Sequence, residues 1–183
     1  MVRAGFRYFF NRGLRWQLRH EIEAQLLKFW STGLPLDHVD GHLNLHLHPT
    51  VVSLLAHHAP RWGVRHFRLT RDPFWLNARL AGGQWAYRIS HAIIFGLLCW
   101  RARPVLCRLG IRHTAAVFGL LQNGRVTEDY LIRLLPRLPW GDSELYAHPS
   151  RHTSSHELEA LTSERVKELV REQDIQLVRY QDL

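Results

Sequence analysis

Apolar and polar residues recur along this chain with two different periods, which predict helices in some segments and strands in others. Residues 14–31 have apolar side chains three or four positions apart on one helical stripe: Leu14, Leu18, Ile22, Leu26 and Phe29. Gly33 is expected to end this helix, because glycine readily adopts the left-handed conformation that follows many helices.

Short apolar runs bounded by turn residues predict five strands, over residues 36–42, 64–70, 114–120, 143–149 and 175–180. Helical periodicity predicts three further helices, over residues 49–62, 127–138 and 154–172. Pro49 suits the first position of its helix, and Thr127 suits an N-cap. We expect a loop over 72–83 and a long, mostly helical region over 85–109, interrupted at Pro104.

Strands that alternate with helices through short connections predict an α/β fold with a parallel sheet. The 183 residues suffice for one core, and 46% hydrophobic against 22% charged residues indicates a folded chain. We therefore expect a single domain over residues 1–183. In parallel α/β folds, ligands bind at the carboxyl ends of the strands, so polar residues at those ends are the first candidates for a site.

Three predicted strands end in residues that can carry chemistry. His42 follows the first strand, Arg68 and Arg71 lie at the end of the second, and His148 ends the fourth. A histidine at such a position can act as a general acid, and an arginine can bind a carboxylate or another polar group of a substrate. A turn histidine and ordinary surface arginines explain the same residues, so both interpretations stay open.

Residues 37–49, DHVDGHLNLHLHP, hold four histidines interleaved with leucines. In an extended chain the polar members share one face: His38, Asp40, His42, Asn44, His46 and His48. Gly41 disfavours a helix and Pro49 keeps the residue before it extended, which predicts a strand at the front of the run and a turn behind it. Neutral imidazoles ligate divalent transition metals, so the run is a candidate source of one or two of the roughly three protein ligands of a catalytic site. Satisfied polar residues near a strand end are the alternative.

Charge and cysteine content narrow the function classes. The formal charge is +8, from 24 Lys and Arg against 16 Asp and Glu, but the arginines are scattered and form no nucleic-acid motif. A solvated basic surface is therefore favoured over an anionic partner, and no nucleic acid is expected. Two cysteines exclude a disulfide scaffold and a cysteine-rich zinc site, and they fit a reducing cytoplasm.

Neither a signal peptide nor a transmembrane segment is predicted. The opening MVRAGFRYFFNRGLRW lacks a long apolar stretch, and AIIFGLLCW at 92–100 is half the ~20 apolar residues of a spanning helix. The region 85–109 mixes aromatic and aliphatic residues with arginines, which favours a segment that covers the fold over a membrane-surface helix. Cys99 and Cys107 are expected in the core.

The stretch HVDGHLNLHLHPTV at 38–51 resembles the histidine motif of the YdjC-like carbohydrate deacetylases. Three further stretches resemble the hopanoid-biosynthesis-associated HpnK branch of that family: MVRAGFRYFF at the start, VRHFRLTRDP at 64–73 and SELYAHPS at 143–150. The resemblance covers nearly the whole chain. It implies a parallel-stranded (β/α) barrel similar to a TIM barrel, a divalent metal at the strand ends, and removal of N-acetyl groups from amino sugars.

The resemblance also implies roles for individual residues. His42 matches a metal-ligating histidine of the family, and His148 matches a catalytic histidine at a strand end. His46 matches a family histidine that lines the same pocket, and Arg68 matches an arginine near it. Together with Arg71 and Asp40, they are the residues expected to bind substrate. Asn44 stands where the family has a histidine, a departure that changes the pocket.

Two family motifs are missing, the NADDFG-type and GLHL-type sequences that supply an aspartate and a histidine to the metal. Met1 matches a family position after both motifs, so the first barrel strands are expected to be absent. The region 85–109 is expected to be a helical insertion in the barrel. A mis-called start, a frameshift or a degraded gene would explain such a chain. With two of three ligands and the aspartate base missing, Mg or Zn is expected to bind weakly if at all.

The sequence therefore predicts a metal-dependent hydrolase of N-acetylated sugars or sugar-lipids, cytoplasmic, open to homo-oligomer formation, and impaired or inactive as this chain. The alternative is a non-catalytic remnant or binding module whose basic surface meets anionic partners. Binding that weakens steeply with salt would distinguish this alternative.

Overall fold

The computed structural model describes residues 11–153 and 155–183. Its α-helices in chain order are α1 (Arg12–Trp30), α2 (Pro49–His58), α3 (Phe74–Leu80), α4 (Trp85–Arg108), α5 (Glu128–Leu134), α6 (Ser155–Thr162) and α7 (Glu164–Glu172). Its strands are β1 (Ala116–Phe118) and β2 (Ser143–Leu145), and its short 3₁₀ segments are His42–Leu47, Leu135–Arg137 and Tyr180–Asp182. The stretch MVRAGFRYFF lies outside the described residues.

The chain forms two compact units. The first comprises residues up to Arg68, Leu98–His113 and Tyr180–Asp182, and the second comprises Leu69–Leu97, Thr114–Arg179 and Leu183. The single domain expected from the sequence stays a prediction.

Extended segments of the first unit pair in parallel. Val39 bridges Phe67, and His66 bridges Arg112, both in parallel orientation. The Val39 N–H donates to the His66 carbonyl at 3.0 Å, and the Arg68 N–H donates to the Val39 carbonyl at 3.0 Å. The first two predicted strands therefore pair, but through a single bridge and not as a continuous ladder.

Local signals start the helices of the first unit close to where they were predicted, although α2 ends at His58 and not at residue 62. The Asn11 side chain accepts a hydrogen bond from the Leu14 N–H at the start of α1, and Gly33, with φ +74°, follows its end. Pro49 occupies the first position of α2. Apolar side chains of this unit form its core: Leu26, Leu47, Val51, Leu55, Trp62 and Phe67.

The second unit contains the sheet. β1 and β2 pair in parallel, from Ala116 opposite Ser143 to Phe118 opposite Leu145. Thr127 caps α5 as predicted, since its hydroxyl accepts the N–H of the third helical residue. Helices and strands share one core here: Leu80, Ala116, Phe118, Val126, Tyr130, Leu131, Leu134, Ala160 and Val166. The mixed α/β class and parallel pairing are confirmed, and the partial (β/α) barrel stays a proposal.

The loop predicted over 72–83 is wrong, because α3 occupies most of it. Pro73 precedes the helix with φ −67°, a value already suited to helical continuation. Asn77 and Leu80 are buried at 0% and 3% exposure, so tertiary packing stabilises this helix. Seven residues make only about two helical turns, which is too short for a helical period to be recognised in the sequence. An isolated helix of that length is also unstable in water, so its sequence does not decide its structure alone.

The interruption predicted at Pro104 is also wrong, since α4 runs through this residue. Proline removes the N–H that would donate to the Trp100 carbonyl. Trp100 and Pro104 are both exposed, so water can satisfy that carbonyl, while Cys99, Ala102 and Leu106 pack in the first unit.

Two further predictions are corrected near the carboxyl terminus. The predicted helix 154–172 is divided at Ser163, whose hydroxyl accepts the N–H of Val166 and so starts a new helix. The segment 175–180 is not a strand. Leu177 is 85% exposed, and no strand of the described chain pairs with this segment.

α4 carries both cysteines. Cys99 is buried as predicted, whereas Cys107 is exposed, which corrects the expectation that both lie in the core. Within the described ranges, α4 is also the one helix long and apolar enough to cross a membrane, judged by length and composition only. A single helix of this kind is weak evidence for a span.

Candidate functional site

The histidine run follows the predicted order of a strand and then a turn. Val39 is in the parallel bridge, and the chain then coils tightly over His42–Leu47. Leu43 and Asn44 take left-handed backbone conformations, with φ of 55° and 57°. The Asn44 N–H donates to the Gly41 carbonyl at 2.8 Å, which closes the turn. Left-handed residues other than glycine are uncommon and concentrate at functional sites.

Gly41 allows the turn to fold back against the strand. A Cβ atom at this position would lie 2.9 Å from the His46 backbone nitrogen and 3.2 Å from the His46 Cβ. Real Cβ atoms do not approach backbone so closely, so only glycine fits here. The close approach places the His46 ring beside Asp40, the residue just before the glycine.

His46 is held in its neutral form. Its ring is buried, and Nε2 donates to the Arg68 carbonyl at 2.8 Å, because a carbonyl can only accept. Burial lowers the pKa of His46, and the nearby Asp40 carboxylate opposes that effect. Nδ1 therefore carries a lone pair; it lies 3.3 Å from an Asp40 oxygen and makes no hydrogen bond within the described part of the chain.

Asp40 lies between His46 and Arg68. One of its oxygens faces His46, and the other accepts a hydrogen bond from the Arg68 Nη1. The carboxylate remains partly exposed, so it can still receive a hydroxyl or amide of a bound molecule. We define Asp40, His46 and Arg68 as the Asp40 cluster. It joins three of the predicted site residues.

His42, the predicted metal ligand, lies exposed at the start of the turn. Across residues 11–153 and 155–183, no three His, Cys, Asp or Glu side chains come together in a way that could hold a metal ion. One oxygen of Asp40 already accepts a hydrogen bond from Arg68. The described residues therefore do not by themselves fit a metal site, and His42 stays a predicted ligand.

His148 belongs to the second unit and follows β2. Its ring is exposed and meets Tyr146 edge to face, with centroids 5.8 Å apart. Its backbone N–H donates to a Glu157 carboxyl oxygen at 2.6 Å. The other oxygen of Glu157 accepts from the Val126 N–H at 3.1 Å, and this carboxyl group is fully buried. Glu157 thus anchors the backbone that presents His148.

Glu157 was not predicted from the sequence as a site residue, although one signal indicated its burial. It stands three positions before Ala160 in α6, and both residues are buried. A glutamate on the inward stripe of an amphipathic helix needs buried donors, which here are backbone N–H groups from two distant loops.

The carboxyl ends of β1 and β2 are brought together at Gly119. This residue has φ +116°, and an added Cβ would lie 2.2 Å from the Tyr146 carbonyl oxygen. The Tyr146 N–H donates to the Phe118 carbonyl at 3.0 Å, which continues the parallel pairing to that point. The backbone leading to His148 therefore passes directly over the end of β1.

The second unit also contains a buried carboxyl group, Asp72, which the sequence analysis did not single out. It accepts hydrogen bonds from the Leu121 N–H at 2.9 Å and from the Asn77 side chain. The Asn77 carbonyl oxygen in turn accepts from the Tyr130 hydroxyl at 3.0 Å. Burial raises the pKa of Asp72 to about 7. We define Asp72, Asn77 and Tyr130 as the Asp72 cluster.

Arg71, predicted to bind substrate, precedes this group. Its side chain is exposed, and its backbone carbonyl accepts from the Val117 N–H at 3.0 Å, which places it alongside β1. Among the residues that the structure describes, no contact of the Arg71 side chain assigns it a role, so its substrate-binding function stays a prediction.

Polar side chains follow paired extended segments in each unit of this α/β fold: the Asp40 cluster lies after a parallel bridge in the first unit, and His148 lies after β2 in the second. The model of the YdjC-like protein family matches residues 1–172. The chain therefore belongs to the YdjC-like family, which confirms the family resemblance of its histidine motif.

Known proteins that are similar to this chain include a carbohydrate deacetylase and a protein of solved structure. A mouse carbohydrate deacetylase is 34% identical over 146 residues, covering 73% of this chain and 45% of the relative. A crystal structure of a candidate cellobiose-phosphate cleavage protein from Enterococcus faecalis matches with a TM-score of 0.63 at 17% identity, covering 92% of this chain and 60% of that one. The second likeness shows the fold alone. The chain thus spans about half the length of the curated relative.

Proposed function

We propose that this chain acts in a carbohydrate deacetylase of the hopanoid-associated type, which hydrolyses the N-acetyl group of an amino sugar or sugar-lipid. The observation that carries the proposal is the Asp40 cluster, in which the family's histidine motif joins His46 and Asp40 to Arg68 at a strand end. Membership of the YdjC-like family and the name of the mouse relative support this reaction class.

The proposed reaction divides the work between binding and proton transfer. Water adds to the carbonyl carbon of the acetyl group, and the bond between that carbon and the amide nitrogen breaks. Acetate leaves, and the amine nitrogen gains a proton. His148, exposed after β2, is proposed to donate that proton. Asp40 and Arg68 are proposed to bind sugar hydroxyls, and the hydrogen bond from Arg68 keeps Asp40 in place. Arg71 is proposed to bind a polar group of the substrate.

A divalent ion such as Mg or Zn enters the proposal only through His42. The described residues do not complete a metal site, so no step of the reaction is derived through a metal. Substrate binding and turnover are therefore tested separately, because a chain without a complete metal site can bind a sugar without hydrolysing it.

Binding is tested by ligand-observed saturation-transfer NMR with N-acetylated and deacetylated chitooligosaccharides. We expect the acetyl methyl protons to receive saturation, and Arg68→Gln to weaken binding about tenfold, equivalent to about 1.4 kcal/mol. Arg65→Gln removes an exposed arginine from the same segment and is expected to have no effect. No binding, or equal weakening by both variants, would contradict the proposal.

Turnover is tested by measuring acetate release from the same sugars with added zinc, cobalt or magnesium. Binding without release is expected from this chain, because the described residues gather no three ligands. If acetate is released, His148→Asn should lower kcat by about 100-fold or more, as expected for loss of a general acid. Unchanged release in that variant would remove His148 from the mechanism.

A further inference from the structure

We propose that α4 docks the protein on the surface of an anionic lipid bilayer through its outer face, the stripe formed by Trp85, Ile89, Ile93, Leu97 and Trp100. These residues are three or four positions apart, so they share one side of the helix. Their exposed fractions are 48%, 45%, 59%, 62% and 75%. A continuous stripe of large exposed apolar side chains marks an interaction surface, whereas single exposed residues do not.

Near its amino-terminal end, another side of the helix contacts the second unit through Tyr87 and Arg88, while Ile94, seven positions after Tyr87, is 51% exposed. The Tyr87 hydroxyl donates to the Leu120 carbonyl at 3.1 Å, and the Arg88 Nη1 donates to the Ala81 carbonyl at 2.6 Å. Arg88 is only 1% exposed. These contacts within the second unit orient α4 about its own axis, so the outer face is turned to solvent. They also favour a helix that lies along a bilayer over one that crosses it.

The charge of α4 selects the partner. From Trp85 to Arg108 the helix contains four arginines and no aspartate or glutamate. Three of these arginines, Arg101, Arg103 and Arg108, are exposed near its carboxyl end. Tryptophan rings settle at the headgroup level of membranes, and arginines beside an apolar stripe bind anionic headgroups.

A second copy of the chain is a poorer occupant of the outer face. Self-association through α4 brings together two helices that both lack carboxylates, so their arginines would have no opposite charges on the partner helix. An anionic bilayer supplies both an apolar layer for the stripe and negative charge for the arginines.

The test is flotation of the purified chain with lipid vesicles in a density gradient. Vesicles of phosphatidylcholine mixed with phosphatidylglycerol are compared with pure phosphatidylcholine vesicles at low salt. We expect the chain to float with the anionic vesicles, to bind neutral ones at least about tenfold more weakly, and to be released by high salt. Retention at high salt until detergent is added would instead indicate a spanning helix and overturn surface docking.

Variants identify the face. Ile93→Ser combined with Leu97→Ser should abolish flotation, whereas Leu177→Ser changes an 85% exposed leucine elsewhere and should leave it intact. Circular dichroism of each variant checks that the chain is folded. Equal loss of flotation in the stripe variant and the control would overturn the assignment to α4.

The charged end of α4 is tested separately. Arg101→Gln with Arg103→Gln should weaken binding to anionic vesicles about 25-fold, from about fivefold for each arginine near the surface. Arg151→Gln with Arg171→Gln removes the same charge from exposed positions outside α4 and should have a much smaller effect. If the stripe variant instead dissociates a dimer seen by light scattering, and no vesicle binding occurs, the outer face is a contact between copies and the proposal is wrong.

Discussion

His46 in the first unit and Asp72 in the second are both buried titratable groups, and burial moves their pKa values in opposite directions. The pKa of His46 is lowered, and the pKa of Asp72 is raised to about 7. In each case burial favours the neutral form, because the charged form loses its hydration. The neutral imidazole presents an unprotonated nitrogen toward Asp40, whereas the Asp72 carboxyl can exchange a proton near neutral pH.

The two sites differ in what compensates for burial. His46 lies next to a partly exposed ion pair, Asp40 with Arg68, so charge remains close to solvent. Asp72 accepts hydrogen bonds from neutral donors, the Leu121 N–H and the Asn77 amide, and the positive charge of the buried Arg88 partly opposes the rise in its pKa. The first arrangement suits substrate binding at an open edge, and the second suits a structural or proton-holding role.

Removing the Asp72 carboxyl group should give the largest effect. Asp72→Ala leaves the Leu121 N–H and the Asn77 amide without their acceptor, so the free energy of unfolding should fall by about 3 kcal/mol. Asp72→Asn keeps an acceptor and the volume, and should cost about 1 kcal/mol. Urea denaturation measures both values. Equal destabilisation by the two variants would show that the hydrogen bonds do not matter.

The second largest effect on stability is expected from filling the space at Gly41, next to the Asp40 cluster. Gly41→Ala forces a Cβ against the His46 backbone and should cost about 2 kcal/mol. Because the ring would then become more exposed, the pKa of His46 should rise toward its ordinary value, as followed by NMR. Gly96→Ala is the control: this helical glycine has open space around it, so it should be neutral or slightly stabilising.

The two groups should also give stability slopes of opposite sign with pH. Between the ordinary carboxyl pKa of 3.8 and about 7, folded Asp72 keeps a proton that the unfolded chain has lost, so stability should fall with rising pH by up to about 1.4 kcal/mol per unit. Below the ordinary histidine pKa of 6.5, the unfolded chain binds a proton that folded His46 does not, so stability should rise with pH.

Single variants separate these slopes. Asp72→Asn should leave the rising slope of His46, and His46→Gln should leave the falling slope of Asp72. Unfolding free energies measured from pH 4 to pH 7 for the three chains decide the matter. Identical profiles would mean that neither group has a perturbed pKa in the folded protein.

The smallest effect is expected from the ion pair. Arg68→Gln should change stability by about 1 kcal/mol or less, because Asp40 is partly exposed. The pKa of His46 should nevertheless rise, since the positive charge of Arg68 lowers it and the Asp40 carboxylate raises it. An NMR titration measures this change, with His20 on α1 as the internal reference. A fall in the pKa of His46 would contradict the proposed coupling.

Local signals predicted much of the framework correctly. Pro49 and Thr127 start helices by removing or satisfying N–H groups that a helix start leaves unbonded, a property of the residue itself. The division of the histidine run into strand and turn was likewise readable, because Gly41 and Pro49 restrict the backbone next to them. By contrast, the loop expected over 72–83 became a helix through burial of residues that no short pattern reveals.

The sequence by itself determined which residues are chemically able to form a site, since histidines, arginines and aspartates are visible wherever they occur, and a motif of the YdjC-like family marks them. Only the tertiary structure decided which of them meet. His46 bonds a carbonyl 22 residues away, and Asp72 bonds an N–H 49 residues away. The physical reason is that hydrogen bonding and burial depend on distance in space, which local backbone preferences do not encode. The shifts in the pKa values of both groups therefore arise only in the folded chain.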